Sequence, residues 1–176
     1  EDKYYAIKCD SYSALQDAFT SGQWALPVRT GPGYGGPAAA AGGTDAAAPS
    51  PGRAHDGDGE AKVQPTADLA AACKAAAAAG TAVYLIVSVS GSKRFQAVGR
   101  VRGEPPAEGA EGAEGAADGF GAAFDVEWTA QLPASGGVTF AAVREALSRA
   151  EADAVCRARN MHGVPAQVGA RVARMA

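Results

Sequence analysis

"VYLIVSVSGSKRFQAVGRV", residues 83–101, decides how the rest of the chain is read. Its first seven residues are apolar almost without interruption, the pattern of a strand covered on both faces and therefore central in a sheet. Ser90-Gly91-Ser92 supplies a turn, and 94–101 returns as an alternating strand, which makes a β-hairpin. Upstream, "LAAACKAAAAAG" (69–80) has strong helix propensity and a glycine stop. Downstream, "FDVEW" (124–128) alternates Phe124, Val126 and Trp128 on one face, a further strand.

The ends of the chain extend this pattern. In "KYYAIKCDSYSALQDAFTSGQWA" (3–25), Tyr4 to Lys8 is β-prone, the run breaks at Cys9-Asp10-Ser11, and Leu15, Ala18 and Phe19 resume at helical spacing. Ser11 or Ser13 can cap that helix, and Gly22 can end it, which leaves Trp24 just past a helix C-terminus. "VTFAAVREALSRAEA" (138–152) has helical periodicity, with an irregular loop as the alternative. "AVCRA" (154–158) reads as a short strand, and "PAQVGARVARM" (165–175) as a helix with Pro in its first turn. The expected fold class is α/β, with one curled sheet and flanking helices.

Two stretches differ from the rest. Residues 30–66 are rich in Gly, Ala and Pro, and 103–119 repeat a Glu-Gly-Ala unit. Neither has enough large apolar surface to offset the entropy of ordering, so both are expected to be disordered insertions in one domain spanning 1–176. A first residue of Glu1 rather than Met suggests an excised domain.

Net charge is −3 at pH 7, which excludes a uniformly basic nucleic-acid binder. The distribution matters more. Residues 104–118 hold Glu104, Glu108, Glu111, Glu114 and Asp118 and no base, whereas bases gather at Lys93, Arg94, Arg100 and Arg102 and again from Arg144 to Arg174. A local basic face is therefore compatible with a slightly acidic total. Cys9, Cys73 and Cys156 form no CxxC and have only His55 and His162 beside them, so no metal site is expected, and a reducing, intracellular compartment suits them. No signal peptide or membrane-spanning run is visible.

No catalytic constellation stands out, and no cofactor is expected. Neither histidine lies in a motif that would orient it, "GPGYGG" (31–36) lacks the Lys-Ser/Thr ending of a phosphate loop, and nothing near Cys9 supplies a base.

Three segments in order, residues 3–25, 83–101 and "FGAAFDVEW" (120–128), resemble the YTH domain, the family that reads N6-methyladenosine in RNA. That family runs from an aromatic Lys-Ser stretch through a helix to Gly-x-Trp. A strand ending Phe-Ser-Val and a Phe-Gln-Gly turn follow, then an aromatic shortly before Phe-x-Val-x-Trp. "AVCRARNMHG" (154–163) is similar to its closing strand pair. The resemblance covers about half the chain. It implies a barrel-like YTH/PUA-type sheet flanked by helices, no catalysis, and single-stranded RNA as partner, with the domain acting as a monomer in nucleus or cytoplasm on mRNA.

It also implies site residues. Trp24 and Phe120 match two walls of an aromatic cage for the methylated base, while Trp128 matches an internally packed tryptophan. The Asp10 N–H and the Ala25 carbonyl would meet the base edge, with Cys9 beside them. Lys8 and Arg159 would contact phosphate. Stacking a base on an aromatic wall contributes about 1–3 kcal/mol, and burying the methyl adds about 0.8 kcal/mol. Taken alone, Trp24 reads as core; the surrounding match favours the cage. Two departures stand out: residues 111–119 lack the family's remaining aromatic wall, for which Tyr34 is a candidate, and Ala14 stands where the family has Asn or Asp. The runner-up is a degenerate YTH-like fold that binds RNA without regard to methylation or serves as a protein-interaction module.

Overall fold

The computed structural model describes residues 1–27, 65–103 and 120–176. The expected insertions, Tyr34 and the 111–119 interval lie outside the described residues, except that Pro65 and Thr66 already belong to a helix and Gly103 follows a strand.

Among the described residues, eight strands and five helices follow one another: β1 (Lys3–Cys9), α1 (Tyr12–Ser21), β2 (Gln23–Pro27), α2 (Pro65–Ala79), β3 (Val83–Val89), β4 (Arg94–Phe95), β5 (Ala97–Arg102), β6 (Phe120–Gln131), β7 (Val138–Thr139), α3 (Phe140–Ala146), α4 (Arg149–Cys156), β8 (His162–Val164) and α5 (Ala166–Met175). Six strands form one mixed sheet in the order β2-β6-β5-β3-β1-β8, and β4 pairs with β7 apart from it. Within the large sheet β1 runs parallel to β3, from Lys3 opposite Val83 to Cys9 opposite Val89; the other pairings are antiparallel. The apolar run at 83–89 is central, as its composition requires. Among the described residues the sheet is not closed into a barrel: β2 and β8 remain its edges.

Alternation sends side chains to two cores. One holds Ile7, Leu15, Trp24, Leu69, Leu85, Val87, Phe124 and Val126, beneath α1 and α2. The other holds Tyr4, Ala6, Ile86, Phe95, Val143, Val155 and Val172, beneath α3, α4 and α5. On α2 the residues Leu69, Ala72, Cys73 and Ala76 are buried at helical spacing, while the exposed positions are mostly alanine. Such short side chains leave a cavity of about 270 Å³ between α2 and β5, lined in part by Cys73, Ala76, Val101 and Arg100.

Ser11, not Ser13, caps α1 by accepting from the Ala14 N–H at 3.1 Å, and Gly22 ends it with φ 68°. The expected hairpin forms, but its return strand is broken at Gln96. That buried side chain turns back, its Oε1 accepting from the Val89 N–H at 2.9 Å and its Nε2 donating to the Ala134 carbonyl at 3.4 Å.

Two expectations are corrected. The helix over 138–152 is interrupted: Leu147 is extended (φ −117°, ψ 157°), and Ser148 starts α4 with a capping box to Glu151. The strand at 154–158 is instead the end of α4, with Arg157 as its C-cap, so only 162–164 of the expected closing strand pair is β. Helical spacing of Ala152, Val155 and Cys156 buries that face of α4, an arrangement a strand could not provide.

Candidate nucleic-acid interface

β1 ends on Lys8-Cys9 and Asp10 follows, the three residues that the family resemblance assigns to a base edge and a phosphate. Asp10 is exposed. Cys9 is buried; its thiol donates to the Ser11 carbonyl at 3.1 Å, and its own carbonyl accepts from the Ser90 N–H at 2.8 Å. Burial pushes the Cys9 thiol up, which agrees with an inert sulfur rather than a nucleophile. Ala14 is exposed in the first turn of α1.

Lys8 is half-buried, with its ammonium 5.2 Å from the centroid of the Phe140 ring. Burial lowers its pKa, with the nearby Cys156 acting the other way. β8 is too short to pair with all of β1, so the last contact along this edge comes from a side chain. The Lys8 N–H donates to Asn160 Oδ1 at 2.8 Å, next to the Met161 N–H that donates to the Ala6 carbonyl at 2.8 Å. Asn160 thus fastens the turn that carries the exposed Arg159 to the backbone of Lys8, whose ammonium lies over Phe140. Nothing in the sequence marked Asn160 or Phe140, because the first is one polar residue in a polar turn and the second reads as helix core.

Across α1, Gly22 turns the chain into β2, whose carbonyl-side neighbour is β6: the Val126 N–H donates to the Gly22 carbonyl at 2.8 Å. In this pairing Trp24 faces Phe124, Ala25 faces Ala123 and Pro27 faces Phe120, with a register shift between Ala25 and Pro27. Trp24, Ala25 and Phe120 therefore lie on two adjacent strands, while the side chain of Phe120 is outside the described residues.

Trp24 is only 7% exposed and belongs to the first core. Its ring meets Trp128 edge-on at 6.1 Å and 73°, and Trp128 meets Phe19 edge-on at 5.1 Å. The two indoles differ in one respect. Trp128 Nε1–H donates to the Ala18 carbonyl at 3.0 Å, whereas Trp24 Nε1 is buried with no hydrogen-bond partner among the described residues. A buried, unpartnered N–H is costly, about 1–3 kcal/mol. The cavity beside α2 does not include Trp24. Among the described residues no group of His, Cys, Asp or Glu could hold a metal ion, and no helix is long and apolar enough to cross a membrane.

Comparison with known proteins completes the picture. No curated protein matches this chain. Solved structures match over nearly its whole length. The Pho92 YTH domain in complex with m6A superposes with a TM-score of 0.63 at 15% identity, covering 99% of this chain and 82% of that one. The YTH domain of Zygosaccharomyces rouxii MRB1, bound to N6-methyladenosine RNA, gives 0.63 at 18%, covering 99% and 86%. The Toxoplasma CPSF4 YTH domain in apo form gives 0.60 at 16%, covering 99% and 85%. The family model of the YT521-B-like domain matches residues 62–176, which include Phe120 and Arg159 but not Lys8, Cys9, Asp10, Trp24 or Ala25. With that match over more than half its length, and a fold shared with solved YTH domains, the chain belongs to the YTH domain family.

Proposed function

We propose that this domain binds single-stranded RNA, takes an N6-methyladenosine base against Trp24 and Phe120, and in that way acts on the fate of mRNA without catalysing a reaction. The observation that carries the reading is Trp24. Its indole stands on the edge strand β2 beside the strand that bears Phe120, and its buried N–H lacks an acceptor among the described residues. Family membership and the RNA-bound relatives support it, as does the hydrogen bond that fastens the turn carrying Arg159 to the backbone of Lys8. The Asp10 N–H and the Ala25 carbonyl serve the base edge as main-chain groups, with Cys9 beside them, so they are independent of side-chain change. At 7% exposure the indole offers little open face, and a base reaches it only by displacing what covers it. Ala14, in place of a hydrogen-bonding residue, removes a further contact, about 0.5–1.5 kcal/mol.

Calorimetry with one short single-stranded RNA, methylated or unmethylated at a single adenosine, tests the reading. The expected result is tighter binding of the methylated strand, with the gap lost in Trp24→Ala and reduced in Phe120→Ala. No binding of either strand overturns it. Equal binding of both supports a second reading, an RNA-binding YTH fold without methyl selectivity, which the burial of Trp24 specifically favours.

A further inference from the structure

Phe140 opens α3, with one cation against its ring and two more basic residues on the segments that adjoin it. The ring leans on the buried Phe95 at 4.9 Å, and the Lys8 ammonium lies 5.2 Å from its centroid. The Phe140 N–H donates to the Lys93 carbonyl at 2.9 Å, which fixes the turn carrying Lys93 against the start of α3. One helical turn further on, Arg144 is exposed. Arg144 and Lys8 also share a neighbour, the buried Cys156 thiol: burial pushes it up, and both cations pull it down. The acid facing that sulfur, Asp153, is paired with Arg157 at 3.2 Å.

Lys93 and Arg144 form no ion pair among the described residues; the pairs present are Arg102–Glu127, Arg157–Asp153 and Arg171–Glu151. Lys93 also holds a left-handed backbone, φ 52°, where glycine or asparagine would be at less cost. In a molecule of net charge −3, three separate segments thus bring basic residues to the surroundings of Phe140: Lys8 by its ammonium, Lys93 by its backbone carbonyl and Arg144 by its place one turn along α3. The ring among them is capped by an ammonium, so the surface is shaped for a polyanion rather than an apolar partner.

We propose that Lys93 and Arg144, set around Phe140 beside Lys8, form a phosphate-contacting surface that carries the RNA strand flanking the bound base. This rests on the RNA-binding function proposed above and extends its footprint along α3. Each phosphate neutralised on a single strand adds about 0.7 to the slope of log affinity against log salt, or about five-fold in affinity at 0.1 M salt.

The test measures the affinity of the whole chain for the same methylated and unmethylated RNAs across a salt series. Lys93→Asn removes the charge and suits the left-handed backbone; Arg144→Gln removes the charge and keeps helix propensity. Each variant is expected to bind about five-fold more weakly at 0.1 M salt, and the double variant about 25-fold, with its slope shallower by about 1.4. The loss should be equal for both RNAs, because phosphates carry no methyl information. Lys74→Gln on α2 should bind as the parent does. A double variant with the parent's slope and affinity overturns this proposal while leaving RNA binding intact; a parent chain that binds neither RNA overturns both.

Discussion

Gly169 sits where α5 crosses β1, and a Cβ there would land inside the Tyr4 ring. Tyr4 cannot step aside, because it stacks on Tyr84 at 5.1 Å and 13°. Gly169→Ala is therefore expected to destabilise the fold by about 1–3 kcal/mol, read as a lower thermal midpoint. A second residue-scale expectation concerns pH. Burial pushes the Cys73 thiol up to about 11 from an ordinary value near 9. The folded chain thus keeps a proton that the unfolded chain loses, so this thiol's contribution is complete below pH 9 and declines as pH rises towards 11. Chemical denaturation across that window should show falling stability, with the Cys73 part of the fall absent in Cys73→Ala. At this scale the sequence was legible where chemistry is local. A serine cap at Ser11 or Ser13 and the Gly22 stop could be read from type and spacing, while the inward Trp128 followed from the family resemblance. Asn160 could not, because its partner Lys8 is 152 residues away along the chain.

The clearest element-scale lesson lies at Leu147-Ser148. The apolar period of 138–152 runs across this boundary, so periodicity alone joins α3 to α4. The Ser148-x-x-Glu151 signature marks the break, with the Ser148 hydroxyl accepting from the Glu151 N–H at 3.4 Å and the Glu151 carboxylate accepting from the Ser148 N–H at 2.9 Å. The Ser148 hydroxyl, which also donates to the Glu151 carboxylate at 2.7 Å, and then the Ser148 N–H hold that carboxyl below the usual range. Ser148→Ala should cost about 1 kcal/mol in thermal or chemical denaturation, with α4 the first element to lose amide protection. The same boundary explains the misread strand at 154–158: once α4 starts at Arg149, Val155 and Cys156 complete its buried face. Gln96 is the comparable case in the sheet, where a side chain hydrogen-bonded to the preceding turn splits one expected strand into β4 and β5.

For the whole molecule, the decisive feature is that the N-terminal strand is not peripheral. β1 lies between β3 and β8 and pairs in parallel with the central strand over its full length. A chain beginning at residue 62, where the family match begins, lacks β1, α1 and β2 and with them Ile7, Leu15 and Trp24 of the first core. Such a fragment is expected to show no cooperative thermal transition by circular dichroism, in contrast to the full chain. Strands β1, β3, β5 and β6 were readable in order, but β2 was not, nor was the β1–β3 pairing, because a parallel pairing between segments 80 residues apart leaves no local periodicity. The same holds for the candidate site. Its members could be named from the family resemblance, whereas the burial of Trp24 depends on how β2, β6 and α1 pack together.

The chain has two tryptophans, and they touch edge-on. All of its indole emission therefore arises beside the proposed base-stacking wall. Coupling between the two transition dipoles should also give a near-ultraviolet dichroic couplet that either single replacement removes. Trp128→Phe would leave one fluorophore, at Trp24, and quenching on titration with RNA would report stacking there without any added label.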